Sequence, residues 1–239
     1  MAATLAASQR SLFFRAMPDQ PYLWGHANGP IVDRSVARAH LIAADPALAR
    51  IIARVGDCQL AAPPQATTFQ YLLKAIVYQQ LSGKAASTIF GRVGAIFTPR
   101  SRVTPAALLA TPPARLRAAG LSQAKTLAVL DLARHARIGR LPGLDRLRGM
   151  DAEAIIEQLT VVRGVGRWTA EMLLIFHLGH PDILPLNDLG VLKGFARTVG
   201  RRRRGLPSPK TLARHGDRWR PYRSVASWYL WRALELPPE

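Results

Sequence analysis

A single cysteine, Cys58, in 239 residues leaves no route to an internal disulfide, and none to a four-cysteine metal or iron–sulfur site. No apolar run approaches the roughly 18 residues a membrane-crossing helix requires, so no membrane partner is expected. Carboxylates are scarce: 15 Asp and Glu stand against 33 Lys and Arg, a net charge of +18. From Cys58 to Leu130 there is no carboxylate at all, while Lys74, Lys84, Arg92, Arg100, Arg102, Arg115, Arg117 and Lys125 all fall there. A field of that sign favours polyanions such as DNA, RNA or an anionic membrane face, against the blander reading of arginine-rich coding bias. An unbroken basic stretch inside an apolar-rich region reads as a surface built against phosphates. Alternating β-type runs are also missing; Gly29 to Val32 is the best strand candidate and a poor one.

With 49% apolar residues, the chain can bury a core, as one domain or two packed lobes. Its periodicity is helical. Residues 36–54 follow a 3.6-residue repeat broken at Asp45-Pro46, where a second helix can start. Segments 68–79 and 82–97 predict two helices joined at Gln80-Leu81-Ser82-Gly83. Thr104-Pro105 and Thr111-Pro112 each offer a cap followed by proline at the first helical position. Helices follow over 122–137 with Ser122 as cap, 151–160 with Asp151 as cap, 167–178, 188–199, 208–215 and 222–235. The expectation is an all-α protein with short connections. The Ala/Ser-rich start, with Arg10 and Arg15, reads as a terminal arm, with an organellar transit peptide as the alternative. Arg201-Arg202-Arg203-Arg204-Gly205 is an interhelical loop.

The stretch RGVGRWTA, Arg163 to Ala170, places two glycines one residue apart between helices. Glycine permits positive φ and removes Cβ atoms, so a tight hairpin can aim backbone N–H groups and the next helix N-terminus at an anion. Arg163, Gly164, Val165, Gly166, Arg167 and Thr169 are therefore candidate DNA-backbone contacts, blind to sequence. Lys84, Lys125 and the Arg201–Arg204 run are further phosphate candidates, with plain solvated surface as the alternative. Asn187-Asp188 opens a helix, as N-cap and first-turn acid. His177 and His180 lack a third ligand nearby and read as helix C-terminal residues.

VVRGVGRWTAEMLLIF followed by ILPLNDLGVLKGF resembles the helix–hairpin–helix DNA glycosylases, in their 3-methyladenine DNA glycosylase II branch. The resemblance runs from about Phe69 to Trp231, through FQYLLKAIVYQQLSGKAASTI, LRAAGLSQAK and WRPYRSVASWYLW. It implies a glycosylase domain over 36–239 behind a tail at 1–35, without the N-terminal β-domain of some members. Helices from about 80 to 180 would form one lobe, the N- and C-terminal helices the other, with an active-site cleft between the two.

The same resemblance assigns Asp188 as the catalytic carboxylate. Breaking an N-glycosidic bond builds positive charge on the sugar, which a dry carboxylate stabilises. Trp168 stands where lyase-competent branches carry a nucleophilic lysine, so a monofunctional enzyme is implied. Trp168 and Trp231 match pocket tryptophans, with Tyr78 a third aromatic wall for a cationic base; Met172 stands where a better-known member has tyrosine. Gln80, or else Leu81, occupies the position that fills the gap left by a flipped base. The implied activity is release of alkylated bases of the 3-methyladenine and 7-methylguanine type from damaged double-stranded DNA. No cofactor and no catalytic metal are expected, and a monomer is the default. Two alternatives stand beside it: a glycosylase of this fold for oxidised or deaminated bases, or a non-catalytic DNA-binding module.

Overall fold

Helix boundaries follow short-range capping chemistry. The structure, a computed structural model, describes residues 33–60, 66–97, 103–199 and 205–237. The strand expected at 29–32 and the Arg201–Arg204 run lie outside the described residues. Among those described there are thirteen α-helices, one 3₁₀ turn and no strand. In chain order they are α1 Arg34–Ala44, α2 Pro46–Val55, α3 Thr68–Tyr78, α4 Gly83–Ala95, α5 Pro105–Leu109, α6 Pro113–Ala118 and α7 Gln123–Arg137. There follow α8 Leu144–Arg148, α9 Ala152–Thr160, α10 Arg167–Phe176, α11 Leu189–Thr198, α12 Pro209–Gly216 and α13 Arg223–Ala233, with the 3₁₀ turn Asp217–Trp219 before the last.

Thr104, Ser122 and Asp151 cap α5, α7 and α9 as their sequences predict. Thr111 does not cap α6. The Thr111 hydroxyl donates instead to the Ala107 carbonyl at 2.9 Å, and Pro112 takes the cap position at ψ 136°, outside the helical region. A residue before proline is pushed out of the helical region, so Pro113 delays the helix by one residue. The opening of α11 differs too. Asp188, not Asn187, is its N-cap, with Oδ1 accepting the Val191 N–H at 2.7 Å.

The chain divides into two compact units: it enters the second between α2 and α3 and returns to the first between Leu173 and Leu174. The first holds α1, α2 and α11 to α13. Asp45 organises its start: Oδ1 accepts the Ala47 and Leu48 amides at the head of α2, while Oδ2 accepts His215 Nε2 at 2.6 Å and Trp219 Nε1 at 2.9 Å. All of α13 except its arginines is buried, packed against α1, α2 and α11. The α11 contact is close enough to require glycine: a Cβ on Gly194 would lie 2.0 Å from the Leu230 carbonyl oxygen.

In the second unit α7 is the centre, with α3, α5 and α6 packed on it. Val129, Leu132 and Ala133 of α7 are fully buried, as are Leu72 and Ile76 of α3, Leu108 of α5 and Leu116 of α6. The short α8, not anticipated from periodicity, buries Leu147.

Candidate functional site

Within the first unit the chemistry centres on Asp188, which is 2% exposed. Removing an ionised carboxylate from water is costly unless donors replace it. Two do so at one oxygen: Oδ1 accepts Val191 N at 2.7 Å and Trp231 Nε1 at 2.9 Å. The first donor is local, three residues along the helix; the second comes from α13, 43 residues away. Gly190 makes room for this arrangement. A Cβ there would approach Trp231 Cδ1 to 2.8 Å, Trp231 Nε1 to 3.1 Å and Asp188 Oδ1 to 3.1 Å. Trp231 itself is 2% exposed and stacks on Phe176 at 5.7 Å between centroids and 26° between planes. Phe176, half-buried, is an aromatic beside Asp188's tryptophan that sequence reasoning did not single out.

The second unit carries the hairpin and the Gln80-Leu81 turn. Between α9 and α10 the chain reverses through Val161–Gly166. Gly164 has φ +80°, and a Cβ there would lie 2.9 Å from Ala128 Cβ on α7, so both backbone conformation and space call for glycine. The Arg163 amide donates to Asp131 Oδ2 at 2.9 Å, fixing the turn to α7. Val162 and Val165 anchor it in the core, while Arg163, Gly164 and Gly166 are exposed and Thr169 is buried. The first turn of α10 lies at the positive end of the helix dipole, an end whose chemistry suits an anion.

Two interactions join the Gln80 turn to its surroundings. Gln79 Nε2 donates to the Gly164 carbonyl at 2.9 Å, tying the turn directly to the hairpin. Lys125 Nζ donates to the carbonyls of Val77 and Gln79, both at 2.7 Å, closing the C-terminal end of α3. Burial pushes the Lys125 ammonium down to about 8. Gln80 is exposed and holds φ +59°, a left-handed conformation unusual for a residue with a side chain; Leu81 is half-buried. Lys84 is exposed on the first turn of α4.

The remaining candidates in this unit are spread through its helices. Arg167 Nη1 and Nη2 grip the Glu153 carboxylate, with Nη1 to Oε2 at 2.8 Å, and Nε reaches Glu171 at 3.1 Å. A phosphate at Arg167 would compete with two carboxylates, a pairing that sequence reading missed. Trp168 is half-buried and Met172 is 2% exposed. The Tyr78 ring meets Phe90 edge-on at 6.1 Å, with Lys74 Nζ 5.4 Å from its centroid.

Residues 73–221 match the model of the HhH-GPD superfamily base excision DNA repair proteins. The chain belongs to this superfamily. The matched span includes Gln79 to Leu81, the hairpin and Asp188, and stops before Trp231. Among curated HhH-GPD relatives, DNA-3-methyladenine glycosylase 1 of Schizosaccharomyces pombe is 31% identical over 201 residues, covering 84% of this chain and 87% of its own. The structure of S. pombe 3-methyladenine DNA glycosylase in complex with abasic DNA superposes with a TM-score of 0.75 at 31% identity, covering 84% of this chain and 97% of that one. A Bacillus halodurans DNA-3-methyladenine glycosidase gives 0.74 at 38% identity, with 82% and 88% covered.

Proposed function

We propose that the protein is a DNA glycosylase that removes alkylated bases, of the 3-methyladenine and 7-methylguanine type, from duplex DNA during base-excision repair. The observation that carries the reading is the buried carboxylate of Asp188, held through Oδ1 by an amide and an indole N–H in a chain of this superfamily. As the glycosidic bond lengthens, the sugar gains oxocarbenium character; a pre-oriented anion, with no solvent shell to rearrange, stabilises it. Alkylated purines are electron-poor and leave readily, so little proton donation is needed and aromatic faces suit a cationic base. Trp168, Tyr78 and Met172 are the side chains that the family resemblance assigns to the base, while Trp231, stacked on Phe176, serves chiefly to hold Asp188.

DNA is gripped through backbone amides at Gly164, Gly166, Arg167 and Thr169 and through Lys84, with Gln80 and Leu81 filling the gap left by the extruded nucleotide; the Val165 amide is taken by the Val162 carbonyl at 3.0 Å. Arg163 adds exposed charge. Lys125 and Arg167 act mainly within the protein, one closing α3 and the other bridging α9 and α10. Trp168 offers no amine for Schiff-base chemistry, which supports hydrolysis that leaves an intact abasic site.

The test is release of free base from methylated duplex DNA by the purified protein, scoring 3-methyladenine and 7-methylguanine separately. Release of either, with strand breaks only after alkali, is the expected result. Release of an oxidised or deaminated base instead would replace the substrate assignment, and nicking without alkali would contradict the hydrolytic mechanism.

A further inference from the structure

Asp188 ends an irregular segment that begins after α10, and α13 holds that segment along one face. Midway along it, the Asp182 carboxylate takes Arg223 in a fork, Nε to Oδ1 at 2.6 Å and Nη2 to Oδ2 at 2.9 Å. Arg220 Nη1 adds 2.8 Å to Oδ2, and Arg223 Nη2 also donates to the Asp182 carbonyl at 3.0 Å. The next residue of α13 works on the backbone: Ser224 Oγ donates to the His180 carbonyl at 2.6 Å and accepts the Ile183 N–H at 2.9 Å, while the Ser224 N–H donates to Pro181 O at 2.9 Å. Two turns further along, Trp231 takes Asp188.

Ser224, Ser227 and Trp231 follow a helical repeat, so one stripe of α13 grips the segment from His180 to Ile183 and again at Asp188. From Ser224 to Trp231 the helix rises about 10 Å. The five residue steps from Ile183 to Asp188 span at most about 17 Å fully extended. They are not fully extended: Pro185 stiffens the path and the Asp188 N–H folds back to the Pro185 carbonyl at 3.0 Å. Leu184 is seated against Gly216, where a Cβ would come to 2.5 Å from its Cδ2. A connector bonded and packed at so many points transmits displacement from its first anchor to its last.

We propose that Arg223 and Asp182, with Ser224, are positioning residues for the reaction: their pairing sets where the Asp188 carboxylate stands. The inference rests on the glycosylase reading and deepens it. The bonds of these three side chains are made within residues 180–183, Arg220 and α13, so their effect passes through the segment and that helix.

The experiment compares wild type, Arg223→Met, Arg223→Lys and Ser224→Ala in single-turnover and steady-state base release. It follows the indole N–H NMR signals of Trp231 and Trp219 in the same variants. A misplacement of about 1 Å at a reacting group costs about 10²-fold, so Arg223→Met is expected to lower kcat by about that factor with KM within about threefold. Arg223→Lys keeps the charge but loses the fork and should fall between. The Trp231 indole signal should move in Arg223→Met and Ser224→Ala, while the Trp219 signal, bonded to Asp45, stays in place.

An unchanged kcat in Arg223→Met, or an unmoved Trp231 signal, overturns the proposal. So does movement of the Trp219 signal with it, which would mean general loosening. Should Arg223→Met fail to fold, Ser224→Ala and Arg223→Lys carry the same comparison. If wild type releases no methylated base, the glycosylase reading fails by itself, and the NMR comparison still decides whether the clamp places Asp188.

Discussion

Asp188 is at once a helix cap and a candidate reacting group, and at residue scale the two roles separate cleanly. Asn is as good an N-cap as Asp, so replacing one by the other keeps the acceptor for Val191 and Trp231 while deleting the charge. Asp45, buried, and Asp182, half-buried, illustrate a different use of acids. Burial works to raise both, but hydrogen bonds from His215, Trp219 and the Leu48 amide at Asp45, and from Arg223 with the charge of Arg220 at Asp182, outweigh it and hold both carboxyls below their ordinary value. A folded-state value below the unfolded one stabilises the native protein above about pH 4 and loses that contribution as pH falls through the lowered value. The thermal midpoint should therefore drop on acidification below about pH 4, and Asp45→Asn should show a lower midpoint at neutral pH with a shallower acid slope. An acid slope equal to wild type in that variant would show that Asp45 does not contribute.

At the scale of elements, α11 and α13 are held together by an absence of side chain. Gly194→Ala would set a Cβ against the Leu230 carbonyl, a backbone atom that cannot swing aside. A loss of at least about 1–3 kcal/mol is expected, read as a lowered midpoint of thermal unfolding. Gly91→Ala on α4 is the contrasting case. A Cβ there meets nothing within 4 Å, so helix propensity alone acts and should stabilise by up to about 1 kcal/mol. Equal effects from the two substitutions would contradict the packing argument.

Helices were readable where their signals are local: Ser122 and Asp151 reach amides within three residues, and Asp45-Pro46 ends one helix and starts the next. Pro113 behind Pro112 displaced one expected cap for an equally local reason. What could not be read were partners brought together only by folding, such as Gln79 with the Gly164 carbonyl 85 residues on, or Trp231 with Asp188. Gly190 and Gly194, four apart, carry a sequence signal for close helix packing, but only the structure shows that Gly190 serves Asp188 while Gly194 serves the contact with Leu230. Arg167 and Lys125 show the converse: a cation's presence is legible, whereas whether carboxylates and carbonyls of the same fold already occupy it is not.

For the molecule as a whole, a net charge of +18 fits a protein whose grip on DNA is largely sequence-blind. If four phosphates are neutralised, affinity for undamaged duplex should fall about 10²-fold between 50 and 200 mM salt. A salt-insensitive affinity would show that the basic surface is not the DNA-binding one. On the proposed reading, charge and hairpin account for binding and Asp188 turns binding into bond cleavage. The deciding measurement is single-turnover base release from methylated duplex by Asp188→Asn beside wild type, with affinity for an abasic-site duplex measured on both. The account predicts a loss of at least about 10²-fold in excision rate with affinity within about threefold. Excision at the wild-type rate would contradict it.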